Sequence, residues 1–233
     1  MISKGPCILV SLDSDGWAEF AANAIRQEID AAVSSRGVCN IMLTGGGVAE
    51  RLYKHCCKMR AFPMKNMCFF FGDERCVPPD HNSSNYAMVM RTLLAEGMST
   101  DCSIARMEAD NPDREEGAKA YEKLLPEKID VLLLGVGEDG HVASLFPNSS
   151  ALLLKERSVV PIIGPKEPQE RLTITPRVIA SARSVFVIAT GERKGRVLAE
   201  ALRSNSDILS FPACLTFNGT WLLDADAGRQ LKN

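Results

Sequence analysis

Chemistry in this sequence concentrates where glycine meets charge. Residues 135–141 read GVGEDGH, so Gly135, Gly137 and Gly140 surround Glu138, Asp139 and His141. Glycine lets a backbone approach a ligand closely, and a histidine beside a carboxylate titrates near neutrality and suits a general base. His55, within a helical pattern, and His81, in a proline loop, have no such setting. Thr44, Gly45, Gly46 and Gly47 precede another helical pattern, where bare amides and a hydroxyl make a site for phosphate or carboxylate. The loop lacks the lysine and spacing of a P-loop and is not G-x-G-x-x-G, so nothing supports nucleotide binding. Asp73, Glu74 and Arg75 follow an apolar run, MCFFF, while Arg171 and Lys194 come from separate elements. Two guanidinium forks and an ammonium can together neutralise a dianion.

The elements that must position these groups are legible as hydrophobic periodicity. Short apolar runs at residues 7–10, 39–43, 67–71, 131–134, 158–163, 171–175, 185–189 and 221–223 read as strands. Helices are expected at about 17–34, with Asp13 or Ser14 as cap and Gly37 as stop, and at about 48–59, 86–95, 114–125, 176–182 and 192–202. Four strands, ending near Leu43, Phe71, Leu134 and Ala189, are each followed by glycine and polar or charged residues. Parallel strands bring such ends to one edge, where a single pocket forms. The fold class expected is α/β, a three-layer α/β/α sandwich with a mainly parallel, Rossmann-like sheet, residues 1–233 forming one domain.

Composition narrows the partners. The 233 residues are 45% hydrophobic, enough for a core without staples, and 27 basic against 29 acidic residues leave a net charge of −2. No global field favours nucleic acid or an anionic membrane, so an anion must be caught locally. The eight cysteines contain no C-x-x-C pair and several lie in apolar runs; they read as small buried hydrophobes in a reducing compartment, with no metal site. The first apolar run is too short for a signal peptide or a membrane span, so the cytoplasm is the expected location.

At GVGEDGHVASLFP the sequence resembles the 6-phosphogluconolactonases, whose pattern runs close to G-x-G-x-D-G-H-x-A-S-L-F-P. The resemblance extends to FFGDERCVPPDHNSSNY, similar to a D-E-R-x-V-P segment followed by S-N-Y, and to RLTITPRVIASAR with TGERK, similar to R-x-T-x-T and T-G-x-x-K blocks. These blocks run in family order from about residue 40 to 195. The related glucosamine-6-phosphate deaminases share the glycine loop and the D-G-H turn, but typically continue I-A-F-N-E-P and D-E-Y. Here Ser144, Leu145, Phe146, Pro147 and Arg75 stand instead. The chain departs from the family at residues 44–49, TGGGVA where S-G-G-x-T-P is common, which weakens the inference of phosphate binding there.

The resemblance implies hydrolysis of 6-phospho-D-glucono-1,5-lactone to 6-phosphogluconate, without metal or organic cofactor. His141 would take a proton from water, with Asp139 or Glu138 setting the turn or the imidazole, and Asp73 would contact sugar hydroxyls or the water. Gly45, Gly46, Gly47, Arg75, Arg171 and Lys194, with Thr44, would hold the phosphate. Amides of the turn at residues 137–141 or a neighbouring cation would receive the oxyanion. The oligomer expected is a monomer or weak homodimer. Two readings remain beside this one: a glucosamine-6-phosphate deaminase/isomerase, and a sugar-phosphate-binding module without turnover.

Overall fold

Apolar runs become buried parallel strands. The computed structural model describes residues 5–204 and 207–232. Its central sheet contains β1 (Cys7–Val10), β2 (Cys39–Leu43), β3 (Met67–Phe71), β5 (Cys102–Ile104), β6 (Val131–Gly135), β9 (Ser184–Ala189) and β10 (Thr220–Leu223), in the order β1-β10-β9-β6-β2-β3-β5. Every pairing in it is parallel. A second, antiparallel sheet of β4 (Asp73–Arg75), β8 (Glu170–Ile174) and β7 (Val159–Ile163) lies in the order β4-β8-β7.

Helices flank the central sheet: α1 (Trp17–Arg36), α2 (Gly47–Met59), α3 (Asn85–Arg91), α4 (Arg114–Leu124), α5 (Pro176–Ser181), α6 (Glu192–Arg203) and α7 (Ala225–Gln230). The connections β1-α1-β2 and β2-α2-β3 step one way across the sheet, while β9-α6-β10 steps the other. Right-handed crossovers therefore put α1 and α2 on one face and α6 on the other. The reversal of direction falls between β2 and β6, and the carboxyl ends of that strand pair are where an open α/β sheet binds ligands. Trp17, Trp221, Phe69, Phe71 and Leu133 lie in the buried core, and Trp17 Nε1 donates to Leu222 O at 3.1 Å.

Several expectations are corrected. Gly16 rather than Asp13 or Ser14 is the N-cap of α1, with Asp13 Oδ1 instead accepting from Gly16 N. The helix expected to reach residue 95 stops at Arg91, where Thr92 leaves helical geometry and its hydroxyl donates back to Met88 O at 2.7 Å. β5 and α7 were not foreseen, nor was the antiparallel sheet. The cysteines are not uniformly buried: Cys39, Cys56 and Cys214 are, four are half-buried, and Cys7 is exposed because β1 is the sheet's open edge. Among the described residues no helix is long and apolar enough to cross a membrane.

The start of α6 is fixed by close packing on α7. A Cβ at Gly195 would lie 2.4 Å from Ala227 O and 2.7 Å from Ala227 Cα, both backbone atoms that cannot swing away. Gly195→Ala should therefore destabilise the protein by about 1–3 kcal/mol, the usual cost of overpacking a well-packed contact. A urea midpoint unchanged from wild type would show that the α6–α7 contact yields freely.

Candidate active site

The loop after β6 folds back on itself. Val136 pairs antiparallel with Val142, and Val142 with Leu145, while Gly137 N donates to His141 O at 2.9 Å. The turn is so tight that a Cβ on Gly137 would lie 2.1 Å from His141 Nδ1 and 2.6 Å from Asp139 Oδ1, so only glycine leaves the imidazole its place. His141 Nδ1 is hydrogen-bonded to Asp139 Oδ1. An ionised carboxylate only accepts, so Nδ1 carries a proton, and in the neutral imidazole the lone pair then sits on Nε2. Burial pushes the Asp139 carboxyl up, but the hydrogen bond and charge of His141 outweigh it and bring it down to about 2. The sequence left Asp139 and Glu138 as alternatives; Glu138 is directed at Arg193, 3.5 Å away. The Phe146 ring packs against the imidazole at 4.6 Å between centroids.

Two arginines oppose one another nearby. Residues 73–75 form a strand, so alternation puts Asp73 and Arg75 on one face and Glu74 on the other. In the ladder Arg75 faces Arg171 and Asp73 faces Thr173. Arg75 Nη1 donates to Ser83 O at 2.7 Å, whereas its Nε is buried without a partner. Arg171 Nε donates to Pro168 O, Nη2 to Lys166 O and Nη1 to Ser144 Oγ at 3.0, 3.2 and 3.4 Å. Its Cζ lies 5.5 Å from the Phe146 centroid, so one aromatic ring touches both the imidazole and a guanidinium. Burial and the neighbouring Arg75 lower the Arg171 pKa, with Asp73 partly opposing. Lys194, in the first turn of α6, is half-buried, and burial lowers its pKa while Glu138 pulls it back.

The acids are engaged elsewhere. Glu74 accepts from the backbone N of Arg75, Asn85 and Tyr86 and from Ser84 Oγ at 2.8–3.0 Å, closing the start of α3; burial nevertheless raises its pKa. Asp73 accepts from Ser144 Oγ at 2.6 Å and from Asn85 Nδ2 at 3.2 Å. Asn85 and Ser144 are therefore site residues that sequence reasoning passed over. They belong to the quoted S-N-Y and S-L-F-P segments, and only the fold shows that they converge on Asp73.

Thr44, Gly45, Gly46, Asp73, Arg75, His141, Arg171 and Lys194 line one cleft of about 170 Å³, together with Gly135, Val136, Gly137 and Ala143. Gly47 lies outside that lining as the exposed first residue of α2, and Asp139 reaches it through His141. Thr44 Oγ1 accepts from Gly135 N at 3.2 Å, so this hydroxyl also ties the tips of β2 and β6 together. Despite the altered TGGGVA loop, α2 begins at Gly47 with no side-chain cap, and Ala49 is fully buried where the common pattern has proline. Three amides of the histidine turn, at Gly137, Gly140 and His141, are already donors within it. His81 serves its own loop, its Nδ1 accepting from Ser83 N at 3.0 Å. Among the described residues no three acidic, histidine or cysteine side chains gather as a metal site.

Comparison with known proteins agrees across the chain. The family described as glucosamine-6-phosphate isomerases/6-phosphogluconolactonase matches residues 12–221. A 6-phosphogluconolactonase of Synechocystis is 33% identical over 240 residues, covering 97% of this chain and 99% of that protein. One from Chlamydia pneumoniae is 35% identical over 205 residues, 85% of this chain and 75% of the other. The solved 6-phosphogluconolactonase of Trypanosoma cruzi superposes with a TM-score of 0.84 at 28% identity, covering 100% of this chain and 99% of that one.

The Asp139–His141 pair has a pH signature. Because the folded-state pKa of Asp139 is depressed from 3.8 to about 2, its ionised form contributes stability that is in place above the unfolded value and fades as pH falls through the folded one. Asp139→Asn should thus have a lower urea midpoint than wild type near about pH 5, and the gap should narrow as pH is lowered toward about 2. A gap that ignores pH would mean that the carboxylate charge is not what holds the pair.

Proposed function

The chain belongs to the glucosamine-6-phosphate isomerase/6-phosphogluconolactonase family, and on that premise we propose that it hydrolyses 6-phospho-D-glucono-1,5-lactone to 6-phosphogluconate, the lactonase step of the oxidative pentose phosphate pathway. One observation carries the reading to this chain's own residues: a single cleft holds a histidine oriented by Asp139 and three cations from separate elements. A base with a free Nε2 suits activation of water, and Arg75, Arg171 and Lys194 suit a phosphate dianion.

In the reaction so proposed, the phosphate is held by Arg171, Lys194 and Arg75, with Thr44 and the amides at Gly45 and Gly46 beside it. The anchored sugar makes attack effectively intramolecular. His141 Nε2 takes a proton from water as the oxygen adds to the lactone carbonyl, and Asp139 steadies the imidazolium that results. Collapse of the tetrahedral intermediate breaks the ring C–O bond, and the imidazolium returns its proton to the departing ring oxygen. With the amides at Gly137, Gly140 and His141 engaged within the turn, the oxyanion is received by the turn's remaining amides, at Glu138 and Asp139, or by a neighbouring cation. Asp73 meets sugar hydroxyls. We read residues 1–233 as one domain working in the cytoplasm as a monomer or weak homodimer, without metal or organic cofactor and without nucleic acid or membrane as partner.

Purified protein should open the lactone faster than the spontaneous rate, and His141→Ala or His141→Asn should lose roughly 10²–10⁴-fold in kcat, the usual weight of a positioned base. Full activity in these variants would remove His141 from the mechanism, and ammonia release from glucosamine 6-phosphate would move the chain to the deaminase side of the family. Lys194→Ala should weaken phosphate-dependent substrate binding by about 1.5–3 kcal/mol, the worth of a charged hydrogen bond. An unchanged KM would place Lys194 off the phosphate.

A further inference from the structure

Ser144 stands between two opposite charges that do not meet. It is fully buried, and its Oγ donates to Asp73 Oδ2 at 2.6 Å while accepting from Arg171 Nη1 at 3.4 Å. Its backbone N donates to Thr173 Oγ1 at 3.1 Å, which fixes the hydroxyl over the β4–β8 ladder. Asp73 and Arg171 are 5% and 6% exposed and both line the cleft. A carboxylate and a guanidinium so placed would ordinarily close into a bidentate pair. Instead the hydrogen bonds to the Asp73 carboxylate come from Ser144 and Asn85, and those from the Arg171 guanidinium go to two carbonyls and Ser144.

We propose that Ser144 is a positioning residue that keeps Arg171 available to the substrate's anion by satisfying Asp73 and holding it apart from the guanidinium. The serine's hydroxyl is the shortest bond to that carboxylate. Without it a buried acceptor is left short of a donor, and Arg171, which donates to the same hydroxyl, is a strong donor beside it. The internal ion pair that then forms removes one of the three cations from the anion site. Ser144 acts only through its two neighbours and touches no reacting atom. The identity of the anion rests on the lactonase reading; the existence of a guard on Arg171 does not.

The test measures inorganic phosphate binding by calorimetry to wild type, Ser144→Ala, Asp73→Asn and the double variant, with lactone hydrolysis by wild type followed separately. Ser144→Ala should bind phosphate roughly tenfold more weakly, a charge-assisted hydrogen bond's worth. Adding Asp73→Asn should restore affinity to within about twofold of wild type, because a neutral amide no longer competes for the guanidinium. A merely structural serine would give no such rescue. Unchanged affinity in Ser144→Ala, or a double variant as weak as the single one, overturns the proposal. Should Ser144→Ala not fold, Ser144→Cys, which keeps the volume with a poorer donor, should show an intermediate loss and the same rescue; wild-type affinity there overturns it. Phosphate behaviour as expected without lactone turnover would sink the lactonase reading and leave Ser144's role standing, whereas turnover without rescue would do the reverse.

Discussion

Arg75 and Arg171 face each other across an antiparallel ladder, partly or wholly out of water, with no carboxylate paired to either. Like charges directly opposite one another cost a sheet stability, and burial sharpens the cost. Much of the surrounding structure reads as arranged to sustain that arrangement. Glu74, the nearest acid in sequence, is turned to the other face and consumed by the start of α3. Asp73 is held by Ser144 and Asn85. Backbone carbonyls at Lys166, Pro168 and Ser83 satisfy individual guanidinium N–H groups without cancelling the charge. On the lactonase reading proposed above, the substrate's phosphate dianion supplies the missing counter-charge.

The second half of the cleft obeys a different constraint. His141 is bound to its own turn by Gly137 and Asp139, so its orientation is decided within a few residues of chain. Phe146, from the same loop, carries that local arrangement across to Arg171. The loop after β6 thus couples a locally oriented imidazole to a cation supplied by the second sheet. Lys194 arrives independently, set by the packing of α6 on α7.

Much of this was legible in the sequence, for identifiable reasons. Strands buried on both faces give unbroken apolar runs, and the glycines and charges just after Leu43, Phe71, Leu134 and Ala189 mark their carboxyl ends; the sheet order places those four strands side by side. The second sheet was illegible because β4 is three residues, Asp73, Glu74 and Arg75, with no hydrophobic period to read. Asn85 and Ser144 went unassigned because their partner lies 12 and 71 positions away: Asn85 reaches Asp73 from the start of α3, which Glu74 holds, and Ser144 through its bond to Thr173 in the β4–β8 ladder. The choice between Glu138 and Asp139 depended on which side of a tight turn each carboxylate leaves, and no spacing rule settles that. Gly47 was grouped with its neighbours by adjacency; it is the first residue of α2 and stands just beyond the residues that line the cleft.

The account stands on one ligand spanning both halves of the cleft, phosphate at the cations and carbonyl carbon at the histidine. A crystal structure with 6-phosphogluconate bound tests this directly. The account predicts phosphate oxygens within hydrogen-bonding distance of Arg171 and Lys194 and the C1 carboxylate beside His141 Nε2. A phosphate seated at His141, or a ligand bound away from Arg75 and Arg171, would contradict it.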